Sequence, residues 1–199
     1  AASLQALYEE VFFYILDNLY QQTKCDTLCF AGGTAQNSLA NGKIFKNSPF
    51  KNVYIPPAGY DAGTAVGSAF YLYHQVLNHS RKFVMTSPFW GPEYSNEEIR
   101  KILEIRKLNY KYFNDDDLIK TTARFLSEGK IVGWFQGKTE WGPRALGNRS
   151  ILANPCRPDM KEILNTKIKK REPFRPFAPS VIEEAVPDYF EENYPAPFM

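Results

Sequence analysis

The chain has 199 residues, which is enough for one large domain or two small ones. Its 24 basic and 22 acidic side chains give a formal net charge of +2, so the overall charge does not point to nucleic acid or to an acidic membrane. No apolar run approaches the ~18 residues that a membrane-spanning helix needs. Three cysteines without metal-ligand spacing indicate reduced thiols, with Cys29 in a buried strand, and we expect a cytoplasmic protein.

The N-terminal part of the chain alternates helical patterns with short apolar strands. The apolar spacing predicts helices over 3–22, 34–42 and 62–78 and strands over 26–31 and 52–55. A turn of glycine and other small residues follows each strand and leads into the next helix. This alternation predicts an α/β layer with parallel strands.

The rest of the chain mixes helices and strands less regularly. We predict a linker at 80–95, where proline and glycine recur and periodicity is weak. Ser95 and Glu98 are spaced as a capping box at the start of a helix. The pattern predicts helices over 96–106, 115–127 and 158–168, a partly helical stretch over 183–190, and strands over 110–113, 131–135, 150–153 and 181–182.

Two glycine turns follow the first two predicted strands. Gly32 and Gly33 lead into a helix, where backbone donors favour a phosphate, and Asn37 could bind a ribose or a base edge. Asp61, in the second turn, could coordinate a metal or contact a nucleotide. Simpler interpretations are a tight turn for the first and a helix N-cap for Asp61. Because both turns end parallel strands, they could face one crevice.

The stretch 129–158 contains a glycine-punctuated loop between two predicted strands. Glycines let backbone N–H groups approach a ligand, and arginine binds phosphate or carboxylate oxygens two at a time. A solvated basic loop is the alternative, but the cations alternate with apolar residues and therefore need a partner. Glu140 could neutralise one of them, so a bound anion is the simpler explanation. The candidate ligands are Lys138, Arg144, Asn148, Arg149 and Ser150.

A second basic segment follows the loop. The prolines in 172–179 keep it extended, which could lock Arg175 pointing inward. Lys169 and Arg175 are candidate anion ligands, with a solvated surface position as the equal alternative. Lys170 is expected at the surface.

Four motifs carry a resemblance to a known family. GKTEWGPRALGNRSILANP and LNTKIKKREPFRPFAPSV resemble the C-terminal domain of the O-carbamoyltransferase family, which includes the nodulation-factor, tobramycin, cephamycin and novobiocin carbamoyltransferases. FAGGTAQNSLANGK and PPAGYDAGTAVGSAFY resemble the end of that family's first domain. The resemblance implies an α/β chain: 1–85 as the C-terminal part of an actin/Hsp70-like (Kae1-like) nucleotide-binding domain, and 86–199 as a YrdC-like twisted-sheet α/β domain. Because the family is longer, and the chain starts and stops within patterns, we expect a fragment of a longer protein.

The family's chemistry makes carbamoyl-adenylate from ATP and carbamoyl phosphate, with loss of phosphate and pyrophosphate. The carbamoyl group then passes to a substrate hydroxyl. The resemblance implies that Lys138, Arg144, Arg149 and Arg175 surround the phosphates and that Ser150 holds the carbamoyl group or a phosphate oxygen.

The resemblance also implies contacts in the first part of the chain. Mg²⁺ would accompany ATP, and Asp61 would be the third ligand of an iron-type divalent metal whose two histidines lie outside this chain. The nucleotide contacts would be Gly32, Gly33, Asn37 and Gly63.

An alternative from a different class is a nucleotide- or RNA-binding module related to the tRNA threonylcarbamoyl-adenosine machinery, without transferase activity of its own. The fusion of both domain types in one chain favours the small-molecule transferase, with a hydroxyl-bearing acceptor. Membranes and nucleic acid are not expected partners. An exposed half-domain face would favour a homodimer.

Overall fold

The computed structural model of the protein describes residues 2–191, 194 and 196–198. The chain divides into two compact units. The first comprises the chain up to Pro88 with Trp141–Arg144 and a few C-terminal residues, and the second comprises Phe89–Glu140 and Ala145–Pro197. A four-residue piece from the later part of the chain therefore belongs to the first unit, which no sequence pattern predicted.

The first unit combines a long helix, two short strands and several short helical turns. β1 and β2 pair in parallel, with Leu28 opposite Val53, so the predicted parallel arrangement is confirmed. The elements are α1 (Ala2–Thr23), β1 (Thr27–Cys29), a 3-10 turn (Gly33–Gln36), α2 (Ser38–Asn41), α3 (Ile44–Asn47), β2 (Asn52–Tyr54) and α4 (Gly63–Tyr71), which continues as a π-turn (Leu72–Val76).

The core of the first unit is formed by α1, β1, α2 and α3. Apolar burial of this kind stabilises by roughly 25 cal/mol per Å². This core fixes β1, the strand that leads into the first glycine turn. The buried side chains are Phe12, Leu16, Leu28, Ala40, Ile44 and Phe50.

The face of α1 next to the buried one is apolar and exposed. Leu4, Leu7, Val11 and Ile15 each have half or more of their surface accessible. The helix has 22 residues, but neither it nor any other helix in the described part of the chain is long and apolar enough to cross a membrane.

Two details of the first unit differ from the predictions. The predicted helix 34–42 is interrupted, because Asn37 caps α2 by accepting a hydrogen bond from the N–H of Ala40 at 3.2 Å. Cys29 lies in β1 but is exposed, so the prediction of a buried thiol is wrong. Alternate residues of a strand face opposite sides, and here Leu28 is the inward one.

The second unit is built around an antiparallel pair of strands. Val132 lies opposite Leu152, and Phe135 lies opposite Arg149. The predicted capping box is confirmed, with Ser95 and Glu98 each accepting the other's backbone N–H. The elements are α5 (Asn96–Ile105), α6 (Asp115–Ser127), β3 (Val132–Phe135), β4 (Arg149–Leu152), α7 (Met160–Ile163) with a π-turn (Leu164–Lys169), a 3-10 turn (Glu183–Ala185) and α8 (Val186–Tyr189).

Two predicted strands of the second unit are wrong. Residues 110–113 and 181–182 are irregular, and among the described residues no strand pairs with either. Apolar alternation alone does not make a strand, because its backbone groups need a partner. The predicted helix at 158–168 is α-helical only over Met160–Ile163 before it widens into the π-turn.

Candidate functional site

The loop between β3 and β4, residues 136–148, is organised by the carboxylate of Glu140. Glu140 Oε1 accepts the backbone N–H of Leu146 at 2.8 Å, of Asn148 at 2.8 Å and of Arg149 at 3.1 Å. The sequence left open that Glu140 neutralises one of the loop's cations. Instead, the structure gives this carboxylate to three backbone donors in the second half of the loop.

These hydrogen bonds keep Glu140 ionised. Burial by itself raises the pKa of the carboxyl, but the donated N–H bonds from Leu146, Asn148 and Arg149 outweigh it, and the pKa lies below its usual range. The loop therefore contains a built-in anion at neutral pH.

Ser150 completes the set of internal acceptors. Its Oγ accepts the N–H of Gly147 at 3.0 Å, and Gly147 has φ +112°, a conformation that favours glycine. The N–H groups of residues 146–149 are thus all bonded to the side chain of Glu140 or Ser150. The expectation that the loop's backbone donors approach a ligand is therefore wrong for these residues. Because Ser150 accepts through its oxygen, its own hydroxyl proton remains able to donate.

Arg149 clamps the first half of the loop. Its Nη1 donates to the carbonyl oxygens of Gln136 at 2.6 Å and Asn148 at 2.8 Å. Its Nη2 donates to Gly137 O at 3.1 Å and, more weakly, to Pro92 O at 3.4 Å. The guanidinium also lies 3.6 Å from the centroid of the Phe135 ring. In this arrangement only the Nε–H of Arg149 has no bond to the described residues, so a bidentate ligand contact would require the clamp to open.

Asn148 and Lys138 form a second link across the loop. Asn148 Nδ2 donates to the backbone oxygen of Lys138 at 2.7 Å, and Asn148 Oδ1 accepts from Gln136 Nε2 at 3.1 Å. The side chain of Lys138 is exposed and makes no hydrogen bond or ion pair with any residue that the structure describes. Lys138 is therefore the cation of the second unit's loop that remains available to a ligand.

The basic segment after α7 is held by Asn165, which is fully buried. Its Nδ2 donates to Pro173 O at 3.2 Å and Arg175 O at 2.9 Å, and its Oδ1 accepts from Arg171 Nε at 2.7 Å. The Arg171 guanidinium also lies 4.8 Å from the Phe177 ring centroid. Asn165 thus satisfies backbone and side-chain groups of the irregular chain that follows it.

Arg175 points outward. Its side chain is 51% exposed and its Nε donates to Glu172 Oε2 at 2.7 Å. That hydrogen bond from Arg175 lowers the pKa of Glu172 below its usual range. The prediction of an inward-locked Arg175 is wrong, because Asn165 holds its backbone oxygen and the side chain lies at the surface, paired with Glu172. Lys169 is exposed and makes no side-chain hydrogen bond or ion pair with the described residues.

In the first unit the two glycine turns lie side by side. Phe30 N–H donates to Tyr54 O at 2.9 Å, and Gly32 N–H donates to Gly59 O. A Cβ on Gly63 would collide with the carbonyl oxygen of Ala58, so packing alone explains that glycine. The turns meet, as expected of adjacent parallel strands, and Gly32 and Gly33 have open space around them.

Asn37 and Asp61 differ in how much of each side chain is committed. Besides capping α2, Asn37 donates through Nδ2 to Gln5 Oε1 at 2.9 Å. Asp61 is exposed, and its backbone oxygen accepts the Thr64 hydroxyl at 2.6 Å, while its carboxylate has no hydrogen bond or ion pair with the described residues. Among the described residues no group of three His, Cys, Asp or Glu side chains could hold a metal ion. The residues present thus do not form a metal centre by themselves, and Asp61 as a ligand stays a prediction.

The segment Trp141–Arg144 passes against the turn after β2. Gly142 has φ +131°, and a Cβ there would lie 2.5 Å from Pro57 O, so the approach requires glycine. Arg144 is exposed, and its guanidinium makes no hydrogen bond or ion pair with the residues described. The first unit therefore gains an available cation next to its glycine turns from a distant part of the chain.

Sequence reasoning missed two organising residues, Glu140 and Asn165. A signal existed for Glu140, because an acid inside a partly apolar, glycine-rich loop must have donors nearby. Asn165 gave a weaker signal, since it stood in a basic run that resembled a solvated surface. In both cases most of the partners are backbone groups, which a sequence does not distinguish.

The fold is that of an α/β protein. Its β3–β4 loop carries exposed cations on a backbone that is hydrogen-bonded internally. A family model described as carbamoyltransferase N-terminus matches residues 1–70, and one described as carbamoyltransferase C-terminus matches residues 123–199. These two matched stretches cover most of the chain. The chain belongs to the carbamoyltransferase family.

Several relatives resemble the chain over nearly its whole length. An uncharacterised protein of Synechocystis is 44% identical over 100% of the chain. The nodulation protein NolO of Bradyrhizobium diazoefficiens is 37% identical and NolNO of Sinorhizobium fredii is 36% identical, each over 96% of the chain. The chain spans 33%, 35% and 28% of these three proteins, about a third of their length.

Proposed function

We propose that the chain is the part of an O-carbamoyltransferase that binds ATP and carbamoyl phosphate. The observation that carries this proposal is the availability of Lys138. It projects from a loop whose backbone donors at 146–149 are already satisfied, so the loop is ordered before a ligand arrives. Preorganised cations stabilise charge that develops on phosphate oxygens without reorganising at the moment of reaction.

Each proposed ligand has a specific task. Lys138 and Arg144 neutralise phosphate oxygens, and Ser150 donates its hydroxyl proton to the carbamoyl or a phosphate oxygen. Arg149 contributes mainly by shaping the loop, with its Nε–H as the remaining donor. Lys169 and Arg175 are exposed, and Arg175 would have to leave Glu172 to reach a ligand.

In the first unit, the open Gly32–Gly33 turn suits the nucleotide. Gly63 and Asn37 shape the chain around the two turns, and Mg²⁺ accompanies the ATP. Asp61 completes an iron-type metal site only with ligands from outside this chain.

The chemistry proposed is the formation of carbamoyl-adenylate with loss of phosphate and pyrophosphate, followed by transfer of the carbamoyl group to a substrate hydroxyl. The fold assignment that goes with it is a Kae1-like part followed by a YrdC-like domain. A cytoplasmic location fits the free thiols of Cys25, Cys29 and Cys156. For the acceptor in this chain we propose only a hydroxyl-bearing small molecule.

Calorimetric titration with MgATP and with carbamoyl phosphate tests the proposal. Removing one charge-assisted contact costs about 1.5–3 kcal/mol, so Lys138→Ala and Arg144→Ala should each weaken binding roughly tenfold or more. Lys120→Ala, which removes an exposed lysine of α6 with no side-chain bond to the described residues, is the matched control. Equal affinity of all variants would sink the proposal. Tight RNA binding that falls steeply with salt would favour the nucleic-acid-binding alternative instead.

A further inference from the structure

Glu140 is fixed on both sides, through its backbone and through its carboxylate. Its backbone pairs with Phe89 in an isolated antiparallel bridge, and the preceding Thr139 donates its N–H to Pro92 O at 3.1 Å. Its carboxylate then collects the N–H groups of Leu146, Asn148 and Arg149. Because its backbone and its carboxylate are both held, Glu140 connects the segment that pairs with its backbone to the second half of the loop.

The charge of Glu140 is compensated without a cation. Within the described residues no lysine or arginine side chain forms an ion pair with it, and its donors are backbone amides. A carboxylate that accepts several N–H bonds has its charge stabilised where it stands. Lys138 is consequently left without an internal counter-ion, although an acid lies two residues away in sequence.

We propose that Glu140 is a positioning residue, whose carboxylate holds the 146–149 backbone and the Arg149 clamp in the geometry that binds a polyphosphate, and this rests on the function proposed above. Arg149 is the link, because its N–H is bonded to Glu140 while its guanidinium binds the carbonyls of Gln136 and Gly137. Loss of the carboxylate releases the peptide from which that guanidinium projects.

Two other roles for Glu140 predict different anion affinities for its variants. If its negative charge acted only as a repulsive neighbour of the bound anion, every neutral variant would bind the anion more tightly. If Glu140 only stabilised the fold, variants would lower the free energy of unfolding while each folded molecule bound the anion normally. Positioning alone predicts weaker binding that a neutral residue of the same shape restores.

The experiment compares Glu140→Gln and Glu140→Ala in the full chain, with Glu183→Gln as the matched control for loss of one exposed negative charge. Glutamine keeps an acceptor oxygen at the same reach, and alanine removes it. Inorganic pyrophosphate is the probe, titrated by calorimetry. Amide hydrogen exchange reports the backbone of 146–149, and urea unfolding reports global stability. If Glu140→Ala does not fold, Glu140→Asp replaces it, since it keeps the charge but is one methylene too short for all three donors.

We expect Glu140→Ala, or Glu140→Asp in its place, to bind pyrophosphate about tenfold more weakly and to lose protection at 146–149. Glu140→Gln and Glu183→Gln should stay within about threefold of the wild type. Unchanged or tighter binding by Glu140→Ala overturns the proposal, as does an equal loss in Glu140→Gln.

The two proposals fail in different ways. If the wild type bound neither pyrophosphate, MgATP nor carbamoyl phosphate, the proposed function would fail. The exchange data would then still decide whether the Glu140 carboxylate holds the loop: protection at 146–149 that is lost in Glu140→Ala and kept in Glu140→Gln supports this part of the proposal, and protection retained in Glu140→Ala overturns it.

Discussion

Two irregular segments of the second unit are each held by one polar side chain, and the two side chains form hydrogen bonds of opposite direction with the backbone. Glu140 in the β3–β4 loop is an anion that accepts three backbone N–H groups. Asn165 after α7 is a neutral amide that mainly donates to backbone oxygens, those of Pro173 and Arg175. In the loop of Glu140 the backbone groups that need a partner are N–H donors, and in the segment of Asn165 they are carbonyl acceptors. Each side chain supplies the matching partner.

The difference determines which cations remain available. In the loop of Glu140 the backbone N–H donors stabilise the negative charge of the carboxylate. The exposed Lys138 therefore has no internal partner among the described residues. In the segment of Asn165 the arginines are already engaged, Arg171 with the Asn165 oxygen and Arg175 with Glu172. The first region is therefore the better candidate for an anion site, and the second is the more important for stability.

Asn165→Ala should have the largest effect on stability. It leaves two backbone oxygens and the Arg171 Nε without their partner, and a buried polar group left unsatisfied costs about 1–3 kcal/mol. We expect a loss of roughly 2–4 kcal/mol in the free energy of unfolding, measured with urea. Asn109→Ala, an exposed asparagine, is the control. A loss no greater than that of the control would show that the Asn165 segment is not held as described.

Arg149→Lys should destabilise by about 1–2 kcal/mol, because lysine cannot reproduce the fork that binds the Gln136 and Gly137 oxygens or the stacking on Phe135. Arg144→Lys changes a guanidinium with no bond to the described residues and should leave unfolding nearly unaffected. The same urea titration compares them. Equal effects would contradict the division between a clamping and an available arginine.

Acid should break the hydrogen bonds of the Glu140 carboxylate, whereas the amide of Asn165 has no proton to gain in this range. The pKa of Glu140 is depressed in the folded chain, so its contribution is present above the unfolded value of about 4.3 and is lost as pH falls through the lower folded value. Amide proton shifts of Leu146 and Asn148, followed by NMR from pH 6 downward, should move in that window. The shifts should stay constant in Glu140→Gln. Titrating shifts in that variant would assign the effect to another group.

The exposed Glu172–Arg175 pair should matter least. Both side chains are about half exposed, and solvent and salt screen such a surface ion pair. Glu172→Gln should therefore leave the urea midpoint of unfolding close to that of the wild type, and any small shift should disappear in high salt. A large loss would mean that this pair, and not Asn165, holds the segment.

Local patterns in the sequence were sufficient for the elements that depend on neighbours in the chain. The helical spacing predicted α1 and α6, the Ser95–Glu98 spacing predicted the cap of α5, and the apolar runs predicted β3 and β4 to within one residue. The family, too, was recognisable from the motifs around the loop. The strand predicted at 110–113 failed because pairing depends on a partner elsewhere in the fold.

Only the tertiary structure decided what the site residues do. The sequence placed Lys138, Arg144 and Arg149 in one basic loop, but bonds to the carbonyl oxygens of Gln136 and Gly137 set Arg149 apart. Likewise, Glu140 and Asn165 gained their roles from backbone groups six to ten residues away. Composition shows which side chains can bind an anion. The folded backbone decides which of them are already occupied, because a hydrogen bond depends on the positions of both partners and the sequence specifies only their identities.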